Sequence, residues 1–229
     1  MIDLFPLMPG FTVRIGEPLV LPESIGARVD AIWSEEKKKS GERLYNGKVY
    51  SLADRGDDFL LIRSAEYRHV LARRRAPELE QGGLIVRPLG VTGILICPDG
   101  LVLGKRSGLV AVDAGMWEPA PAGGLSMPDP AAQILDELKE ELGIDPFRVV
   151  SSEVCGIVED RASGVCDIVY RMRIDASGDD IRNSHQEFGT DEYAEVAIVK
   201  SEHLSAFLDR DPSRLLPALK PMLTLAGLL

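Results

Sequence analysis

The sequence is short of cysteine, of aromatic residues and of positive charge, and it lacks a long apolar run. Its three cysteines, Cys97, Cys155 and Cys166, are too few and too scattered for a disulfide framework or a closed zinc site. They fit a reducing compartment, and the expected location is cytoplasmic. Lys and Arg number 26 against 36 Asp and Glu, a net charge of −10. A surface of that sign repels a phosphate backbone, so no nucleic-acid polymer is expected as a partner. The most apolar stretch, 215–229, is too short to cross a bilayer and is broken by Pro217, Lys220 and Pro221, so no membrane span is expected. The opening MIDLFPLMPGFTV has no basic residues ahead of its apolar ones and does not read as a secretory signal.

What is present is an ordinary globular balance, 45% hydrophobic and 27% charged. Residues 22–40 read as a helix with Ile25, Val29, Ile32 and Trp33 on one face. Asn46-Gly47 marks a turn into a short strand, 57–63 reads as a second strand, and Ser64 is expected to cap a helix ending at Arg73–Arg75 before Pro77. PELEQGG, 77–83, reads as a connection. Beyond it, GILIC, the turn Pro98-Asp99-Gly100 and LVLGKR form a hairpin. A loop over 108–124 leads to a helix over 130–142. Strands are expected in VVSSEVCGIVED, GVCDIVYRMRID and EYAEVAIV, and helical segments in SEHLSAFLDR and the C-terminal stretch. SHQEFGTDE reads as a loop. Strands with a few helices point to a mixed sheet covered by helices, an α+β class.

The helix PAAQILDELKEEL is the most informative segment. Asp129 suits the N-cap, Pro130 the first helical position and Gly143 the left-handed position after the end. At about 100° per residue, Glu137, Glu140 and Glu141 share one arc, and Ala131, Leu135, Leu138 and Leu142 share another. Like charges stacked this way repel by a few tenths of a kcal/mol per pair. A hard divalent cation reverses that sign, since Mg²⁺ takes oxygen ligands and phosphate. A solvated glutamate face is the bland alternative.

DELKEELGI (Asp136 to Ile144), preceded by PAGG (Pro121 to Gly124) and MWEPAP, resembles the signature GX5EX7REUXEEXGU of the Nudix hydrolases. GILICPDGLVLGKRS resembles the hairpin that precedes it, and EYAEVAIV a late strand. The resemblance implies a Nudix-type α/β/α sandwich with a mixed sheet over 84–229, preceded by a small α/β extension over 1–83. It further implies hydrolysis of a nucleoside diphosphate linked to another moiety, with Mg²⁺ or Mn²⁺. Glu137 and Glu141 take the catalytic positions, and Glu137, Glu140, Glu141 and the Gly124 carbonyl the metal-binding ones. Arg106, Glu187 and Trp117 are the candidates for substrate binding, Trp117 by stacking on a base. YNGKVYSL and SAEYRHVL are similar to segments that precede the domain in nucleotide-sugar hydrolases of the family; the alternative for this section is a packing or homodimerisation element.

The sequence departs from the signature in three places. The Gly124-to-Asp136 spacing is two residues short, LSMPDP supplies no first Glu, and Asp136 stands at the Arg position. Asp136 adds negative charge beside the cluster, which either strengthens metal binding or marks a lost activity. The alternative function is therefore a Nudix-fold nucleotide-binding protein without hydrolysis.

Overall fold

The computed structural model describes residues 1–40, 44–110 and 112–229; Ala111, inside the loop expected over 108–124, lies outside them. Strands β1 (Ile2–Pro6) and β2 (Thr12–Ile15) precede helix α1 (Glu23–Ser40). Then come β3 (Lys48–Arg55), β4 (Phe59–Glu66), α2 (Tyr67–Arg75), β5 (Leu89–Cys97), β6 (Gly100–Arg106), β7 (Trp117–Pro119) and β8 (Ala122–Gly124). The chain continues through α3 (Pro130–Leu142), β9 (Val149–Asp160), β10 (Cys166–Ile174), α4 (Gly178–Phe188), β11 (Tyr193–Val199), α5 (Leu204–Arg210) and α6 (Leu219–Leu225).

An eight-stranded mixed sheet runs in the order β1-β9-β10-β5-β6-β11, with β7 paired to β6 and β8 paired to β5. β10 and β5 are parallel, and the other named pairs in this sheet are antiparallel. β5 and β6 pair only near their turn, at Ile96–Leu101 and Cys97–Gly100. Past that point β8 takes up the hydrogen bonds of β5 and β7 those of β6. The sheet therefore splits and admits the segment that leads into α3.

Alternation along the strands gives the sheet two apolar faces. On one face Ile134, Leu138 and Leu142 of α3 and Ile181 of α4 pack with Leu89, Val91, Leu95, Ile168, Tyr170 and Met172. On the other, Leu204 and Leu208 of α5 and Leu219, Met222 and Leu223 of α6 pack with Ile94, Leu103, Val158 and Val169. This is a helix–sheet–helix sandwich of the expected α+β class.

The three-stranded sheet β2-β4-β3 sends Leu52, Leu60 and Ile62 into the α3-side core, while Val29 of α1 packs with Val70 and Ala72 of α2. Several expectations change. β1 was not anticipated, and it completes the main sheet by pairing with β9, so the first six residues lie on the far side of the expected 83/84 boundary. Ser64 lies inside β4, opposite Tyr50, and does not cap a helix; α2 starts at Tyr67, where the Glu66 amide donates to His69 Nδ1 at 3.1 Å. The loop expected over 108–124 contributes β7 and β8, and SHQEF belongs to α4, whose start is capped by Ser177 Oγ accepting from Asp180 N.

Leu138 is fully buried at the centre of α3, and Asp129 Oδ1 accepts from the Ala131 and Ala132 amides at 3.0 and 3.1 Å. Leu138→Ala is expected to cost roughly 2–5 kcal/mol and Asp129→Ala about 1 kcal/mol. Urea denaturation of the two variants checks that ratio; equal losses would place α3 outside the core.

Candidate functional site

Helix α3 meets the sheet through a carboxylate as well as through its apolar stripe. Gly143 ends it at φ 67°, with its amide donating to Lys139 O at 3.0 Å, so the last turn closes on Glu140 and Glu141. Glu141 is 5% exposed, and its Oε2 accepts from the Ala122 amide of β8 at 2.9 Å and from the Tyr193 hydroxyl of β11 at 3.0 Å. One turn earlier, Glu137 Oε1 accepts from Gln133 Nε2 at 2.8 Å. Gln133 Oε1 in turn accepts from the Ser126 amide, the Ser126 hydroxyl and the Met127 amide, which pins the loop between β8 and α3. The Glu137 carboxyl lies against the α-carbon of Gly123, leaving no room there for a Cβ.

A second layer comes from the strands. Glu118 of β7 is 4% exposed and accepts from the Arg106 guanidinium at 2.6 Å. Arg106 also pairs with Glu192 at 3.1 Å, and its Nε donates to Val112 O at 3.2 Å. Four carboxylates are thus drawn from three segments: Glu118 and Glu192 meet the Arg106 guanidinium, Glu141 meets the Tyr193 phenol and Glu137 meets Gln133.

Burial sets the protonation of this group. It pushes the Glu137 carboxyl up to about 7, with Gln133 opposing and Glu140, Glu192 and Asp136 adding repulsion. Burial also lifts Glu118 to about 7 against the pull of Arg106. Glu141 is raised well above the usual carboxylate range by burial, reinforced by Glu137 and Glu118 and opposed by its two donors. The Tyr193 phenol is raised well above its ordinary value by burial and by the same carboxylates. For Arg106 the three carboxylate-side effects outweigh burial, and the guanidinium sits above its usual value. The cluster holds its protons harder than exposed carboxylates do.

Glu137 and Glu141 stand together as the wheel placed them. Glu140 is exposed, and its carbonyl accepts from the Thr190 amide at 3.0 Å. The buried stripe is Ile134, Leu138 and Leu142, with Leu135 half-buried and Ala131 exposed, a rotation from the expected arc. Gly124 is exposed, paired to Gly90, with open space beside its α-carbon. Asp136, at the signature Arg position, is exposed.

Trp117 does not face the carboxylates. In a strand of three residues it points opposite to Glu118, into the core under α5, and its ring meets Phe207 edge-on at 5.3 Å. Arg106, expected to meet substrate, is turned inward onto Glu118 and Glu192. Glu187 is exposed on the last turn of α4 and not in a loop. His185 is half-buried on α4, and its Nε2 is buried without a hydrogen-bond partner among the described residues.

Tyr193, Gln133, Glu192 and Asp167 were not singled out from sequence. Asp167 of β10 lies against Gly90 and is pushed up to about 7 by burial and then by Asp160. The signal for Glu192 and Tyr193 was their place at the head of EYAEVAIV; Gln133 and Asp167 carry no local signal.

The donors are hard oxygens whose mutual repulsion a cation relieves, which fits Mg²⁺ or Mn²⁺ in chemistry. Among the described residues, however, no three His, Cys, Asp or Glu side chains converge as a ready-made metal group.

Neither a family model nor a curated protein matches the chain. Solved Nudix structures resemble it loosely. The NUDIX domain of Shewanella oneidensis NrtR, complexed with ADP ribose, is 14% identical, covering 62% of this chain and 88% of its own at a TM-score of 0.46. A NUDIX hydrolase from Nitrosomonas europaea is 14% identical, covering 61% and 88% at 0.45. A C. elegans Ap4A hydrolase is 13% identical, covering 61% and 95% at 0.44.

The raised Glu137 carboxyl has a definite sign for stability. Below the ordinary 4.5 it is protonated folded or unfolded and contributes no pH dependence. As pH rises from there through about 7 the unfolded chain ionises first, so stability is lost, fully so above the folded value. Glu137→Gln keeps the acceptor for Gln133 and removes the titration. Without added metal, its melting temperature should exceed that of the parent at pH 8 and converge with it at pH 4.5. Parallel melting curves across that range would show the carboxyl to be ordinary.

Proposed function

We propose that this chain is a Nudix-type hydrolase that cleaves a phosphoric anhydride bond in a nucleoside diphosphate-linked metabolite, with Mg²⁺ or Mn²⁺ held by the carboxylates of α3. The observation that carries the reading is the convergence of Glu137 and Glu141 beside a glycine strand, each with its proton affinity raised by burial. Residues 84–229 are the catalytic unit in this reading, with β1 added to their sheet, and the rest of residues 1–83 is an extension.

Glu137 and Glu141 would hold the cation, with the exposed Glu140 free to swing toward it and the Gly124 carbonyl at the rim. The cation supplies Lewis acidity toward a phosphoryl oxygen and acidifies a bound water. The chain's own residues do the rest. Glu137 serves either as a ligand of the cation or as the base that takes a proton from water. The Ala122 amide and the Tyr193 hydroxyl fix the Glu141 carboxylate, so its orientation does not depend on the ligand. Arg106 holds Glu118 and Glu192 and limits the repulsion around them. The N-terminal pattern YNGKVYSL favours a nucleotide sugar within this substrate class. No described helix is long and apolar enough to cross a membrane.

A second reading, nucleotide binding without turnover, is favoured by one observation: among the described residues no three acidic side chains converge as a metal group. A panel of nucleotide sugars, ADP-ribose and dinucleoside polyphosphates, assayed with Mg²⁺ and with Mn²⁺, separates the two. Turnover that EDTA abolishes and that Glu137→Gln lowers by roughly 10²–10⁴-fold, in a variant that melts no earlier than the parent, is the expected result. Saturable binding of a panel member with no product under either metal would establish the second reading.

A further inference from the structure

A groove of about 570 Å³ lies on the sheet face opposite α3, at the β5–β6 turn. Arg171 and Arg173 of β10 share that face with Val169, which packs in the α5–α6 core, while Tyr170 and Met172 point to the α3 side. In register, Arg173 stands beside Ile96, and Asp167 beside Gly90, the partner of Gly124. Six residues of strand separate those two levels, about 20 Å. This groove is a different place from the carboxylate cluster.

Three cations line it: Arg171, half-buried, and Arg173 and Lys200, exposed. Among the described residues no carboxylate lies within ion-pair distance of any of the three, although the chain carries 36 Asp and Glu. Acidic groups are near but engaged elsewhere or out of reach. Asp99 accepts from the Gly178 amide at 2.7 Å. Glu202 lines the groove, and Glu153 lies across β9 from Arg171, without closing on the guanidinium. A side pocket of about 200 Å³, lined by Ser151, Glu153 and the same two arginines, extends the space along β9.

Arg171 and Arg173 are two residues apart on one strand, so their stems leave the sheet about 7 Å from each other. That spacing lets two guanidinium forks approach one tetrahedral oxyanion from either side, each with parallel N–H donors. Lys200 contributes a third charge from the far wall. Apolar side chains, Ile96, Leu101, Leu204 and Leu228, line part of the rest, beside the polar Asp99, Ser201 and Glu202.

We propose that this groove binds a small phosphate monoester, its phosphate between Arg171 and Arg173 and its organic part on the Ile96–Leu101–Leu204 wall. The site is independent of the α3 carboxylates and needs no divalent cation.

The test is a ³¹P NMR titration of the full chain with phenyl phosphate and with inorganic phosphate, in EDTA. Saturable binding is expected for both, tighter for phenyl phosphate because of the apolar wall. Arg171→Gln with Arg173→Gln should weaken it at least about tenfold, the loss of one charge-assisted hydrogen bond, while Glu137→Gln leaves it unchanged. Should circular dichroism show the double variant unfolded, the exposed Arg173→Gln and Lys200→Gln singles carry the test, with Arg173→Lys retaining part of the affinity. No saturation up to about 10 mM, a range weaker than specific sites, would overturn the proposal. So would affinity indifferent to the arginines, or phenyl phosphate binding no tighter than inorganic phosphate.

Discussion

Glu141 is seated between the Ala122 amide and the Tyr193 hydroxyl, and the geometry of the α3 side follows from where that carboxylate must sit. A carboxyl group taken out of water costs several kcal/mol unless its lone pairs are met. Here two donors from two strands meet them, which fixes both the rotation and the axial position of the helix. Glu137, one turn back, is then carried onto the β8 backbone, and only a residue without a Cβ leaves it room. Gly123 is therefore a packing requirement of the helix as much as a feature of the loop. Tyr193 itself sits over Gly104 of β6, which also lacks room for a side chain. The helix, two glycines and the phenol form one interlocked unit.

The parts of this fold that were legible in sequence are those whose signals are local. The caps of α3, the Pro98-Asp99-Gly100 turn and the strand runs of β9 and β10 are written within a few residues, and the structure follows them. β1 was invisible because its partner β9 lies some 150 residues away in the chain and five residues carry too little pattern. α4 was missed because it opens on glycine and polar residues, and its stability comes from the Ser177–Asp180 cap and from Ile181 packed against the sheet. In the site, the α3 glutamates could be placed because a wheel relates them. The facing of Trp117 could not, since a three-residue strand has no period to read and the answer depends on its register with β6. Arg106 was expected to meet substrate; its inward turn depends on Glu118 and Glu192 arriving from separate segments.

Charge is distributed by face as well as by total. On the α3 side a single guanidinium meets two of the buried acids, Glu118 and Glu192, whereas on the opposite face Arg171, Arg173 and Lys200 form no ion pair among the described residues. The hydrophobic sheet core lies between the two sets, and none of the ion pairs of the described residues crosses it from one set to the other. A net charge of −10 therefore describes the chain poorly as a ligand-binding surface.

The carboxylate cluster also carries a tension. In the proposed function a divalent cation would compete with protons for these oxygens, and with Glu137 and Glu118 at about 7 that competition would fall near neutral pH. Arg106 satisfies Glu118 and Glu192 but does not reach Glu137 or Glu141, whose donors are neutral groups. A neutral donor steadies a carboxylate without cancelling its charge, so the repulsion between these two persists through the folded state and grows as pH rises. The fold accepts that cost at the two positions where α3 meets β8, and nowhere else along α3 is a carboxylate similarly enclosed: Asp136 and Glu140 both face solvent. Selective enclosure of two acids, against their own electrostatics and beside a strand stripped of side chains, is hard to account for by packing alone, because apolar residues would fill the same space at lower cost. It is readily accounted for if the pair must be available to bind positive charge.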